Sequence, residues 1–324
     1  MQNLSRDSNE DVIRIPPFQD SHMHFTRAGG LPSTEELKGI MDTCERYGIF
    51  SLKDMGHKSG IGLDVRKASG GKVTVRTAGY ALFRKGGYGT FLGKGVEGKE
   101  EIKRAVKEIS DAGADFIKVV NSGIVSSKGS GLVTEGGFTP EELSIICEEA
   151  KRRNLDISCH ANSDRAIRDA VAAGVTSVEH GFFVSEETIR MMAEKETSWT
   201  PTAVALLSLA PTFKPSEREY IEEVVERHLS SVYYAATLGL KLRIGTDSGS
   251  KGVGHGESFF GEIRLWEKAG LSVHHILAAA CMDGDESEKG NYLLVRKDFI
   301  SSGKIEAVYR GGVREIPEIH PMKC

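Results

Sequence analysis

Short β-branched runs alternate with helical patterns along nearly the whole chain, and this rhythm limits the possible folds more than any single motif does. Such runs fall at 48–55, 72–80, 115–120, 155–160, 175–180, 198–204 and 241–247, and 18–22 in front makes eight. Their length and their bounding turn residues read as strands. Between them, apolar residues recur at helical spacing over 34–47, 98–112, 139–153, 163–173, 186–195 and 216–238, with a shorter helix expected within 60–69. Thr139-Pro-Glu-Glu opens one helix with a capping threonine, a proline at the first helical position and two acids near the positive end of the dipole. Strands alternating with helices pair in parallel through right-handed crossovers. Eight such units predict an α/β chain closing into a (β/α)8 TIM barrel.

After His274-His275 and a helix reaching Cys281, the rhythm changes, and 290–298 and 304–316 read as two short strands. Val12-Ile-Arg-Ile15 can add a third, tying the termini together as a small β appendage beneath the barrel. The expected division is an N-terminal extension over 1–17, the barrel over 18–288 and the C-terminal appendage over 289–324.

Composition narrows the function classes. No apolar stretch approaches the roughly 20 residues of a membrane span, and the polar, acidic start lacks the basic and apolar blocks of a signal peptide. A cytoplasmic protein is expected. The net charge is −4 with both signs interspersed, and no basic stripe carries interleaved aromatics, which argues against nucleic acid. Five cysteines (Cys44, Cys147, Cys159, Cys281, Cys324) without C-x-x-C spacing suggest reduced thiols rather than a disulfide framework or a thiolate zinc site. The 37 glycines concentrate after the strand runs, where loops turn sharply or approach a ligand.

Residues with ligand chemistry close five of the strand runs, where a barrel of this kind carries its catalytic groups. Asp20-Ser-His22-Met-His24 sits at the first, Lys118 in Phe-Ile-Lys-Val-Val, His160 and His180 at the ends of the fifth and sixth, and Asp247 after Gly-Thr at the eighth. Strand alternation puts Asp20, His22 and His24 on one face, so two imidazoles can converge on a metal, although two histidines at this spacing also occur by chance. An ammonium at Lys118 facing the interior would carry a heavy desolvation cost. Carbon dioxide converts such an amine to a carbamate, an anionic ligand able to bridge two cations; the alternative is a strand-end lysine that reaches solvent. Each residue alone reads as an ordinary polar strand end. It is the serial placement of all of them that points to a metal site.

These residues resemble the amidohydrolase superfamily, in particular its members with two metals bridged by a carboxylated lysine, close to the metal-dependent Xaa-Pro dipeptidase (prolidase) and imidazolonepropionase-like group. The stretches that carry the resemblance are 113–123, 138–143, 172–181 and 245–249. It implies that His22, His24 and Asp247 hold one divalent ion, His160 and His180 the other, and carboxylated Lys118 bridges them. Zinc is the first expectation, with manganese, cobalt or iron as alternatives. Asp247 would be the catalytic base, taking a proton from the attacking water and passing it to the departing amine. The implied reaction is hydrolysis of an amide C–N bond in a small carboxylate-bearing molecule, such as a dipeptide or N-acyl amino acid. A homo-oligomer is the expected assembly. Two departures stand out: Gly86-Gly-Tyr88 replaces the group's Gly-Gly-His, and both terminal segments are short.

Loop residues after the strand ends are candidates for substrate contact: His57, Arg84, Tyr88 and His255, the last two flanked by glycine. Basic side chains there could pair with a substrate carboxylate, or be solvated loop charges. Lactone, carbamate or phosphoester hydrolysis by the same centre is the alternative reaction. Deamination ranks lower, because Ala-Asn-Ser163 follows His160 where deaminases carry a glutamate. A barrel that only binds ligand is the remaining alternative.

Overall fold

A computed structural model describes residues 12–315, except 72, 130, 135, 285, 287 and 288. In chain order its strands are β1 (Val12–Ile15), β2 (Phe18–Met23), β3 (Ile49–Asp54), β4 (Thr74–Thr77), β5 (Ala81–Arg84), β6 (Gly93–Val96), β7 (Phe116–Val120), β8 (Asp156–Ser163), β9 (Ser177–Phe183), β10 (Ser198–Thr200), β11 (Tyr292–Arg296), β12 (Ile305–Arg310) and β13 (Val313–Glu315). The helices are α1 (Thr34–Arg46), α2 (Ile61–Ala68), α3 (Lys99–Asp111), α4 (Pro140–Lys151), α5 (Asp164–Ala173), α6 (Glu186–Glu194), α7 (Ala203–Leu209), α8 (Pro215–Thr237), α9 (Glu257–Lys268), α10 (Val273–Ala280) and α11 (Phe299–Ser302). The cap expected before α4 is present: Thr139 and Glu142 exchange side-chain hydrogen bonds with each other's backbone N–H.

The fold is mixed α/β with parallel pairing. One sheet runs β2-β3-β4, and a second runs β10-β9-β8-β7-β5-β6. Three strand expectations change. The strand expected over 72–80, whose first residue lies outside the described set, breaks after Thr77. Gly79 at φ +66° turns the chain there, so that β4 pairs with β3 and β5 with β7. The strand over 198–204 stops at Thr200, because Pro201 has no N–H to donate and Thr202, at φ +51°, turns directly into α7. The segment 241–247 forms isolated bridges rather than a named strand, but it still joins the two sheets. Trp199 N donates to Lys241 O at 2.9 Å on one side, and Thr246 N donates to His22 O at 3.0 Å on the other. Across the opposite gap, Asp115 N donates to Thr77 O at 2.9 Å.

A separate antiparallel sheet, ordered β1-β11-β12-β13, brings the two ends of the described chain together. Residue 316 of the expected strand 304–316 lies outside the described residues. Phe18, at the start of β2, packs against Phe259, Phe260 and Phe299, with ring centroids 5.2, 5.8 and 6.2 Å away. Burial of four aromatic rings, each removing 150–250 Å² or so from water, thus anchors the strand whose other end carries His22. The four described cysteines are buried and free. Among the described residues no helix is long and apolar enough to cross a membrane.

Candidate metal centre

Parallel register assembles the polar strand ends. Lys118 lies beside Ser158, Val120 beside His160, and Ala161 beside His180, which brings the ends of β7, β8 and β9 to one level. Four imidazoles form a continuous chain: His24 to His22 at 5.7 Å between centroids, His22 to His180 at 4.7 Å, and His180 to His160 at 4.6 Å. Asp247 Oδ1 stands 3.3 Å from His24 Nε2 and 3.6 Å from His22 Nε2. All six expected ligands therefore share one place, and five are buried, with Asp247 partly open to the cavity. Close approach requires glycine at 245, where a Cβ would lie 2.7 Å from His22 Cβ. His180, Thr202 and Asp247 are three of only six described non-glycine residues with positive φ, so backbone strain concentrates at this site.

Each ring is oriented by one nitrogen, leaving the other for a ligand. His22 Nδ1 donates to Glu179 Oε2 at 2.7 Å, and His24 Nδ1 donates to Gly56 O at 2.9 Å. His160 is reversed: its Nε2 donates to Gly123 O at 3.1 Å, leaving Nδ1. His180 Nδ1 shares a 2.7 Å hydrogen bond with Thr202 Oγ1. Burial pushes the pKa of His22 and His180 well below the ordinary range and that of His160 to about 4, with the Lys118 charge adding to each, so these rings are neutral and able to bind a cation. Burial also disfavours charge at His24, but the Asp247 contact outweighs it and raises that pKa. Asp247 moves the other way: burial pushes it up, yet the hydrogen bond to His24 and the charges of His22, His24 and Lys118 hold it at about 2.

Lys118 Nζ, in contrast, is buried and has no hydrogen-bond partner among the described residues. Burial lowers its pKa to about 8 against the opposing pull of Glu179. A buried amine without a partner, beside four oriented imidazoles and a carboxylate, is a donor set short of cations; His22, His24 and Asp247 alone bring three ligand atoms within 4.8 Å of one another. The residues fit a divalent metal centre.

Above this floor lies a cavity of about 230 Å³, walled largely by apolar side chains including Phe91, Leu92, Phe182, Leu206, Leu209 and Phe213. Of the residues expected to meet substrate, Tyr88 lines it, its ring 5.7 Å from His160. The other three do not. Arg84 is held by Glu97 and Glu142, each at 3.1 Å. His57 Nδ1 pairs with Ser59 Oγ at 2.9 Å, and His255 Nε2 donates to His24 O at 2.9 Å from behind the site. Lys251 is the one cationic side chain besides Lys118 lining the cavity among the described residues. Asp20 lies beneath the centre, bonded to Thr246 Oγ1 at 2.6 Å, and burial pushes its pKa up to about 7. Glu179, Thr202 and the apolar wall carry no signal in the sequence that marks them for this site. The position after His160 that would carry a deaminase glutamate leads to Asn162, whose Nδ2 donates to Gly123 O at 3.0 Å.

The model of the Amidohydrolase family matches residues 14–287. Ochratoxinase of Aspergillus niger is 31% identical over 287 residues, covering 74% of this chain and 59% of its own, so the chain spans little more than half the length of that relative. An uncharacterized protein of Mycobacterium tuberculosis is 24% identical over 276 residues, covering 83% of this chain and 72% of its own. Among solved structures, a Xaa-Pro dipeptidase with bound methionine superposes with a TM-score of 0.79 at 21% identity, over 97% of this chain and 91% of that one. The A. niger ochratoxinase structure gives 0.76 at 23% identity, over 95% and 84%. At these identities the structural likeness is one of fold.

Proposed function

The chain belongs to the amidohydrolase family, and on that premise we propose that it is a metal-dependent hydrolase of an amide C–N bond in a small molecule. The observation that carries this reading is the buried, partnerless amine of Lys118 among His22, His24, His160, His180 and Asp247. Lys118 would be carboxylated and would bridge two divalent ions, one held by His22, His24 and Asp247, the other by His160 and His180. Bound there, divalent ions supply an acidified water and polarise a carbonyl oxygen. Asp247, ionised and facing the cavity, accepts the proton of the attacking water and returns it to the departing amine. Tyr88 donates its phenol proton toward the carbonyl region, since burial holds that hydroxyl protonated far above neutral pH.

The wall refines the substrate. Leu206 and Phe182 are nearly fully buried and Phe213 partly so, which favours a bulky apolar group on one side of the amide and keeps bulk water from the reacting centre. Lys251 at the rim pairs with a carboxylate on the other side, giving an N-acyl amino acid or apolar dipeptide. On the same reading the two parallel sheets close into an eight-stranded barrel spanning 18–288, with 289–324 as its appendage.

Metal analysis combined with turnover of an N-acyl amino acid and dipeptide panel tests the function. The expected result is close to two ions per chain and hydrolysis that drops on the order of a thousandfold or more in Lys118→Ala, because bridging ligand and second ion leave together. Turnover equal to that of Lys118→Ala across the panel would defeat the reading.

A further inference from the structure

Glu179 is a fully buried carboxylate that the proposed chemistry does not use. It sits on β9 directly before His180, where strand alternation places neighbours on opposite faces. The left-handed conformation of His180, φ +67°, breaks that alternation, so Glu179 and His180 both turn toward His22. The carboxylate spans the gap between the two parallel sheets. Its Oε2 accepts from His22 Nδ1 on β2 at 2.7 Å, while Oε1 accepts from Ser177 Oγ on its own strand at 2.6 Å. Ser177 Oγ lies 3.0 Å from Ser158 Oγ on β8, which accepts from Lys53 Nζ on β3 at 2.7 Å. Lys53 Nζ itself stands 4.0 Å from Glu179 Oε1. Four strands from both sheets thus meet on one acid.

We propose that Glu179 is a positioning residue for the half of the centre formed by His22, His24 and Asp247. By accepting the Nδ1 proton it fixes the His22 tautomer and aims the Nε2 lone pair into the cavity, and its charge makes that nitrogen a stronger donor to a cation. Ser177 locks the carboxylate rotamer through its 2.6 Å hydrogen bond to Oε1, and Lys53 Nζ stands beside the same oxygen from β3. The arrangement differs from that of the other three rings, which are oriented by backbone carbonyls or a threonine hydroxyl. The inference rests on the metal-centre reading.

Cobalt titration of metal-free protein, followed by visible absorption, separates the alternatives without relying on turnover. In Glu179→Gln one of two cobalt ions is expected to bind some 10–100-fold more weakly, with an altered ligand-field spectrum for that ion. A Lys53→Met, Glu179→Leu double variant removes the acid and the cation beside it together. It is expected to weaken the same ion further and to convert His22 to mixed tautomers in ¹⁵N spectra. Two ions bound as in the wild type by both variants, with His22 still protonated at Nδ1, would overturn the role of Glu179 alone. A wild-type protein that takes up no cobalt would overturn the metal-centre reading and this inference with it.

Discussion

The floor and the wall of the cavity are built on opposite principles. On the floor every imidazole has a hydrogen-bond partner that sets its orientation, and those partners lie on strands or on the turns that end them. The wall is made of apolar side chains without hydrogen-bonding groups, from α7 (Leu206, Leu209), from the turn after β5 (Phe91, Leu92) and from the segment after β7 (Ile124, Val125). A floor of this kind prescribes one chemistry, because moving any ring breaks a buried hydrogen bond. On the proposed function, the wall tolerates replacement and would set which molecule reaches that chemistry.

On this division, changes on the floor are expected to abolish reaction with every substrate, and changes on the wall to redistribute substrates. Asp247→Asn is expected to cut kcat by roughly 10²–10⁴-fold on all substrates alike, measured under saturating metal; a loss confined to apolar substrates would place Asp247 with the wall. Next in size is a stability effect. In metal-free protein and carbon-dioxide-free buffer, the Lys118 pKa lies near 8 in the folded chain against 10.5 for the free side chain. Between those values the folded chain has released the proton that the unfolded chain still holds, so stability should rise with pH and be lost again as pH falls through about 8. The difference amounts to roughly 3 kcal/mol at most. Denaturant melts at both ends of the window, with Lys118→Met as reference, measure it; an identical pH response in the variant would show that Lys118 is not the titrating group.

Phe213→Ala should raise KM by about tenfold for substrates with a bulky apolar group and leave kcat for a small acyl group within error. A uniform fall in kcat would instead show that the wall supports the floor. The smallest effect belongs to Lys251→Ala, because an exposed lysine pairs weakly. KM for a substrate carboxylate should rise by a factor of a few, while the matching primary amide is unaffected, as paired initial-rate curves would reveal.

The same contrast explains what could be read from the chain. His160, His180 and Asp247 stand out in the sequence because each is a polar residue closing an apolar strand run. Glu179 was invisible because alternation assigns it the face opposite His180, and only the positive φ of His180 reverses that. The wall was hidden for another reason. Ala203-Val-Ala-Leu-Leu-Ser-Leu209 continues the apolar character of β10, and nothing local marks the turn at Thr202 that makes it a helix over the cavity. Loop charges misled in turn: Arg84 and His255 have the right chemistry, but their aim is set by Glu142 and by the carbonyl of His24, both distant in sequence. The broken third strand and the bridging segment 241–247 depend likewise on backbone turns that period and composition do not encode.

The link between Asp20 and Thr246 has a bearing on how the molecule comes to exist. Those residues are 226 positions apart, and their 2.6 Å hydrogen bond lies directly beside His22 and Asp247 in the chain. Contacts so remote in sequence form late, after the loop-closure entropy of the intervening chain has been overcome. A polypeptide emerging in order would therefore possess His22 and His24, at the end of β2, long before its remaining candidate ligands. An ion that binds the completed arrangement then acts as a ratchet, withdrawing finished molecules from the folding equilibrium in proportion to its free concentration.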